Sequence, residues 1–330
     1  MHSTCTRLKL PALLQIDGLS ISFAQRHASI AAVRDVSLDV AAGERLGVVG
    51  ESGSGKTQVF MAAMGLLAGN AAVEGSVLFD GNEVVGLGRA ELNRIRGSAL
   101  TMVFQDPMTS LTPHLKIGTQ LAEVLVCHAG RSWSEARAAA RRMLDRVRVP
   151  DAARRLDQYP HELSGGLRQR VMIGMSLMCG PKLVIADEPT TALDVSVQAE
   201  IIDLLRALCE ETGMTLVLIS HDFAVVASLA DRLLVMYAGR VVESAGIELF
   251  QRPRHPYTAE LLKCIPSLSG PRLQRLPTLT GQPPQPGEAL TGCAFAPRCP
   301  RAAARCRVER PALQPAGAAG QVACHFPLSS

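Results

Sequence analysis

Eight consecutive residues, Gly50-Glu51-Ser52-Gly53-Ser54-Gly55-Lys56-Thr57, fit the spacing G-x-x-x-x-G-K-[S/T]. These residue types suit phosphate binding. Glycines let the backbone turn so that successive N–H groups point inward at anionic oxygens. A helix starting there, near Gln58, adds its positive N-terminal end. Lys56 supplies a compact charge for the β- and γ-phosphates, and the Thr57 hydroxyl a ligand for Mg²⁺. The plain alternative is a Gly/Ser turn that happens to precede a lysine. Chance yields the full pattern in about one per cent of chains or fewer, and here an apolar run precedes it and a helical pattern follows.

A second candidate lies about 130 residues on. Leu183-Val-Ile-Ala186 is an apolar run ending in Asp187 and Glu188. A buried strand of this kind delivers a carboxylate at its C-terminal end, where ligands sit in α/β sheets. Asp187 is placed to hold Mg²⁺, directly or through water. Glu188 is placed to orient and polarise an attacking water as general base. Alone, this is an ordinary strand ending in an acidic turn. Behind the glycine-rich loop it completes a site for nucleotide hydrolysis.

The flanking pattern supplies elements to hold these groups. Leu14–Phe23 and Ala32–Val40 alternate like strands, and Arg45–Val49 is a short apolar run ending in Gly50. Gln58–Leu67 reads as a helix. Gly75–Asp80 reads as a strand before an Asp80-Gly81 turn. The stretch from Pro107 to Gly180 is helix-rich, with apolar spacing near 3.6 in Glu135–Val147. Strand and helix then alternate: Lys182–Ala186, Val197–Gly213, Thr215–Ser220 and Phe223–Ala230, followed by strands at Arg232–Tyr237 and Gly239–Glu243. This alternation predicts an α/β fold with a mainly parallel sheet covered by helices. After about residue 250, prolines 253, 256, 266, 271, 277, 283, 284 and 286 break regular structure and mark an extension.

Composition narrows the function classes. Of 330 residues, 47% are hydrophobic and 19% charged, which excludes a disordered chain. Aromatics are only 4%, too few for base-stacking platforms, and the net charge of +4 includes no dense basic block. No nucleic-acid partner is expected. No apolar stretch reaches the roughly 18 to 20 residues that cross a bilayer. Met1–Leu14 lacks the apolar core of a signal peptide. A cytoplasmic location, with reduced cysteines, is the expectation.

Leu163-Ser164-Gly165-Gly166-Leu167-Arg168-Gln169-Arg170 resembles the signature L-S-G-G-x-x-Q-R of the ATP-binding-cassette (ABC) ATPases. The resemblance implies a P-loop NTPase (RecA-like) core with an N-terminal antiparallel β subdomain and a helical subdomain at about 107–180, spanning residues 13–250. It implies two cassettes that close on each other, with Leu163, Ser164, Gly165, Gly166 and Gln169 of one capping the ATP of its mate. Ser164 also reads as an ordinary helix N-cap. Other motifs follow in family order. Gln105, in Phe104-Gln105-Asp106-Pro107, resembles the glutamine that senses Mg²⁺ and faces the membrane partner. Asp194, in Ala192-Leu193-Asp194, resembles the loop that crosses the dimer interface. His221 resembles the switch histidine at the γ-phosphate, and Phe23 the aromatic that stacks on adenine.

A finer resemblance, to the dipeptide/oligopeptide permease ATPases, rests on Gln105–Pro113, on Arg254-His255-Pro256-Tyr257-Thr258 and on the cysteine-bearing tail at 251–330. It implies an ATPase that powers peptide import from the cytoplasmic face of the membrane. Its implied partners are a second cassette subunit, typically a paralogue, two multi-span permease subunits and an external substrate-binding protein. A rival reading, a non-transport ABC ATPase acting on ribosomes or DNA, is disfavoured because those proteins usually carry two cassettes or a long coiled-coil insertion.

Five of the nine cysteines are scattered, but Cys293, Cys299, Cys306 and Cys324 cluster with spacing C-x5-C-x6-C-x17-C. Four thiolates can enclose an iron–sulfur cluster or a Zn²⁺; plain free thiols or two disulfides are the alternatives. The spacing is not the C-x2-C usual for zinc, and the resemblance implies a [4Fe–4S] cluster.

Overall fold

The computed structural model describes residues 12–25, 29–106, 110–191, 193–265, 279–285, 287–288, 290–317 and 320–329. The expectations placed on residues 1–11, Pro107, Ala192, Pro266, Pro271, Pro277 and Pro286 lie outside these.

Burial explains the main sheet. In β7 (Leu183–Asp187) and β8 (Thr215–Ser220) every residue is buried. Leu183, Ile185, Val217 and Ile219 feed one core, while Val184, Ala186, Leu216 and Leu218 feed the other. A continuous apolar run is what a sheet covered on both faces requires. β6 (Leu100–Val103), β7, β8, β3 (Arg45–Val49) and β9 (Arg232–Tyr237) lie side by side in that order, all parallel. β10 (Arg240–Gly246) turns back antiparallel to β9 through Ala238 and Gly239, both at positive φ, as a two-residue hairpin demands. β12 (Gly320–Val322) and β11 (Gln314–Ala316) continue this edge, again antiparallel.

A smaller antiparallel sheet has the order β2 (Ser29–Ala41), β1 (Ala12–Ala24), β4 (Ala71–Phe79), β5 (Asn82–Glu83). Its Leu14, Ile16 and Val77 share a core with Val59 and Phe60 of α1 (Lys56–Ala63) and with one face of the main sheet. α2 (Arg89–Ile95) follows on the surface. The opposite face is covered by α3 (Ile117–Ala129), α4 (Trp133–Arg146), α5 (Ala152–Arg155), α6 (Gly165–Leu177), α7 (Val195–Thr212) and α8 (Phe223–Leu229). α1 is shorter than the sequence suggests: it stops at Ala63, and Gly65 follows in the left-handed region. α4 starts two residues earlier than expected because Ser132 and Glu135 form a capping box.

Past residue 250 the chain does not build a core of its own. Tyr257, on α9 (Pro256–Lys263), and Phe295 are fully buried in the helix-side core. The short α10 (Ala304–Val308) precedes β11. Among the described residues no helix is long and apolar enough to cross a membrane.

α9 is anchored by His255, which is 1% exposed and whose Nδ1 accepts the Tyr257 N–H at 3.0 Å. The Arg254 and His255 N–H groups donate to the buried Glu243 carboxylate, at 2.7 and 3.0 Å. Burial pushes the imidazole pKa down to about 4. In the unfolded chain it would protonate near the ordinary value of about 6.5. Between those values the unfolded chain binds more protons, so stability falls as pH drops from about 6.5 to about 4. His255→Asn keeps a capping acceptor without the titration. In denaturant unfolding across this range, the parent should lose about 3 kcal/mol more than the variant.

Candidate nucleotide site

The glycine-rich loop leaves β3 at Gly50, where φ is 153° and a Cβ would run into the carbonyl oxygen of Met236 in β9. At Gly55, with φ 93°, a Cβ would likewise run into the carbonyl oxygen of Ala32. Both positions therefore require glycine. The loop closes on itself: Lys56 Nζ donates to the carbonyls of Gly50, at 2.8 Å, and Glu51, at 2.9 Å. Ser52 and Gly53 face solvent, Ser54 is buried, and Gln58 is half-buried on α1. Burial pushes the Lys56 pKa down, while Glu188, Asp187 and Glu51 oppose that shift. A buried ammonium held by neutral carbonyls favours arrival of an anion.

Asp187 ends β7, and its Oδ1 accepts the Thr57 hydroxyl at 3.0 Å. Burial raises its pKa and the Thr57 hydrogen bond lowers it. A hydroxyl and a carboxylate at this separation are the hard oxygen donors that Mg²⁺ prefers. Glu188 follows with φ 45°, an uncommon conformation for a residue with a long side chain. Its Oε2 accepts from Gln105 Nε2 at 3.1 Å and Thr191 Oγ1 at 2.9 Å, and lies 3.3 Å from His221 Nδ1. Gln105 follows β6 and His221 follows β8. One carboxylate oxygen thus gathers groups from the ends of three adjacent strands.

The signature residues divide. Ser164 and Gly165 are exposed and Gly166 half-exposed at the start of α6, where Ser164 Oγ accepts the Leu167 N–H. Leu163 and Gln169, expected to cap the nucleotide of a mate, are instead 3% and 1% exposed. Leu163 precedes the helix and Gln169 lies one turn into it, and both side chains turn into the core of their own cassette. Asp194 is exposed and caps α7 through the Val197 N–H at 2.9 Å. A Cβ on Gly165 would lie 3.6 Å from Leu193, which places the two helix starts side by side on one surface. Phe23 lies on β1 opposite Ile30 and Ala71, half-buried and packed on the core.

Cys293, Cys299, Cys306 and Cys324 line one small cavity together with Phe295 and Pro256, and the Cys293 N–H donates to the Cys306 carbonyl at 2.8 Å. Yet among the described residues no group of three or more His, Cys, Asp or Glu side chains is placed to hold a metal ion. The expected cluster geometry is not formed. Burial raises the thiol pKa values of Cys293, Cys299 and Cys324, the last to about 11.

Three residues at the loop escaped the sequence reading. Thr191 holds Glu188. Tyr257 and Arg298 reach Glu51 from the extension. Tyr257 sits in a quoted motif, but nothing local announced its contact, and Arg298 is 247 residues from its partner.

A phosphate loop, a hydroxyl–carboxylate pair and a carboxylate-centred hub at the ends of parallel strands define a P-loop ATPase. Residues 33–191 match the family described as ABC transporter, and residues 242–306 match the oligopeptide/dipeptide transporter C-terminal region. The chain is 48% identical to the oligopeptide transport ATP-binding protein OppD of Salmonella typhimurium, over 94% of this chain and 93% of that one. It is 46% identical to the dipeptide transport ATP-binding protein DppD of Escherichia coli K12, over 96% and 97%. Among solved structures, a dimeric ATP-binding cassette, MJ0796, in a post-hydrolysis state bound to ADP and phosphate, superposes with a TM-score of 0.65 at 29% identity. That match covers 71% of this chain and 98% of the cassette. The chain belongs to the ABC transporter ATP-binding proteins, in the branch that carries the oligopeptide/dipeptide transporter C-terminal region, and it is an ATPase.

Gly50→Ala should disrupt the loop without unfolding the sheets. Strain of about 1–3 kcal/mol is expected in thermal unfolding, with MgATP affinity lowered at least tenfold in a nucleotide titration.

Proposed function

We propose that this chain hydrolyses ATP to power import of di- or oligopeptides through separate membrane permease subunits, from the cytoplasmic face of the membrane. The observation that carries this reading is the convergence of Gln105, Thr191 and His221 on Glu188 in a chain whose residues 242–306 match the peptide-transporter C-terminal region. The relatives' names supply the solute class.

Each side chain then has a task. Lys56 exchanges its carbonyl partners for phosphate oxygens. Thr57 and Asp187, with Gln105 nearby, offer oxygen ligands to Mg²⁺, which when bound neutralises phosphate charge. Glu188 takes the proton of the attacking water, and Gln105 and Thr191 fix its orientation. His221 donates to the developing phosphate charge. Phe23 stacks on adenine. Ser164, Gly165 and Gly166 of one cassette close over the ATP of its mate beside Asp194, with a paralogous cassette as the second subunit. A cavity of about 640 Å³, lined by Met64, Met102, Phe104, Met172 and Met175, opens next to Gln105 and is a suitable seat for a permease helix. The boundaries at 13–250 and 251–330 remain part of this reading, as does an external binding protein that selects the peptide.

We assign the cysteine cavity as the place where a metal centre assembles. All four cysteines line it. A [4Fe–4S] centre fits four sulfur donors in a short lobe. Protein purified anaerobically should contain iron and sulfide, and Cys293→Ser should lose both in elemental analysis. A colourless, iron-free parent would end this assignment.

Glu188→Gln should lower ATP turnover by about 10²- to 10³-fold while retaining nucleotide. Purified from membranes with ATP, it should carry multi-span permease subunits with it. Turnover at the parental rate would remove Glu188 as the base, and recovery of ribosomes or DNA in place of permease would favour the non-transport alternative.

A further inference from the structure

The phosphate loop contains a carboxylate of its own. Glu51 is the second residue of the loop, and a negative charge there opposes binding of a triphosphate. The structure neutralises it from the far end of the chain. Arg298 makes a paired contact, Nη1 to Glu51 Oε2 at 2.7 Å and Nη2 to Oε1 at 2.9 Å. Its side chain is 4% exposed. Two further donors are used: Nε bonds the Thr280 carbonyl at 3.0 Å and Nη1 the Tyr237 hydroxyl at 3.2 Å. Arginine presents a rigid planar fork, so this geometry fixes the carboxylate in direction as well as charge.

A second contact holds the loop backbone. The Glu51 N–H donates to the Tyr257 hydroxyl at 2.9 Å. Tyr257 packs on Tyr237 with ring centroids 4.5 Å apart, and both lean on Phe295, at 5.3 and 5.4 Å. Tyr237 closes β9, next to the strand that carries the loop. Phe295 and Arg298 lie between Cys293 and Cys299 in the chain, and Phe295 is on the wall of the cysteine cavity. The extension therefore reaches the loop through a cluster of three rings, packed edge-on or tilted, and one buried cation.

We propose that Arg298 and Tyr257 are positioning residues of the nucleotide site, by which the C-terminal extension sets ATP affinity in its own cassette. Arg298 cancels the Glu51 charge, and Tyr257 fixes the loop backbone at Glu51. The inference rests on the reading of residues 50–57 as the ATP loop.

Binding of a fluorescent ATP analogue with Mg²⁺, together with steady-state hydrolysis, tests it on the full-length chain. Arg298→Gln should weaken binding about tenfold or more and raise KM in proportion, with kcat changed less than about threefold. Glu51→Gln placed in the Arg298→Gln background removes the uncompensated carboxylate and should restore affinity to within about threefold of the parent. A purely structural arginine would show no such rescue. Tyr257→Phe keeps the ring in the core and loses only the acceptor; about threefold weaker binding is expected. Parental affinity in folded Arg298→Gln or Tyr257→Phe protein overturns the proposal, as does a double variant no better than Arg298→Gln. Lys56→Ala runs alongside. If the parent does not bind MgATP, or Lys56→Ala binds it equally well, the ATP-loop reading fails, a result distinct from failure of the clamp.

Discussion

Four neighbouring parallel strands end at one level, and the catalytic geometry depends on it. Val49 of β3 is paired with Ser220 of β8, Ile219 of β8 with Asp187 of β7, and Ala186 of β7 with Val103 of β6. The next residues along each strand therefore emerge together: the phosphate loop, His221, Glu188 and the approach to Gln105. Backbone ladder bonds hold this level with no help from the functional side chains. A slip of one residue in any pair would turn its side chains to the opposite face.

The same alignment concentrates charge where water is scarce. Lys56 and Asp187 are both buried, and burial moves each toward its neutral form. Neither is paired directly with the other. Lys56 is occupied by carbonyls and Asp187 by a hydroxyl, ligands that can be exchanged at little cost. Stronger ion pairing inside the loop would compete with the incoming phosphate and metal. Arg298, a buried cation paired with a carboxylate, grips the loop at Glu51. The strong contact is placed at Glu51 and the exchangeable ones at Lys56 and Asp187.

Much of this was legible in the sequence, for identifiable reasons. β3, β8 and β9 were read to the residue because fully buried strands are uninterrupted apolar runs bounded by turns. The loop and the Asp187–Glu188 pair were legible because phosphate binding constrains residue type at fixed spacing. β6 was not: four residues followed by Phe104 and Gln105 carry too little periodicity to separate from a helix-rich stretch. The inward turn of Leu163 and Gln169 was hidden because a motif gives residue order without orientation. Spacing alone could show that four cysteines are close, but not whether their sulfurs meet. Contacts such as Arg298 with Glu51 leave no local trace, since the fold creates the proximity.

β12 contributes a further property. It pairs with β10 at Glu243 and Ser244, and the Ala323 N–H adds a bond to the Val242 carbonyl. Residues far along the chain thereby cover β10, which would otherwise be the open rim of a six-stranded sheet. A cassette shortened before this strand would present unpaired N–H and C=O groups along β10, a template for intermolecular strand addition. The lobe that reaches the phosphate loop thus also moves the sheet's rim from the seven-residue β10 to the three-residue β11.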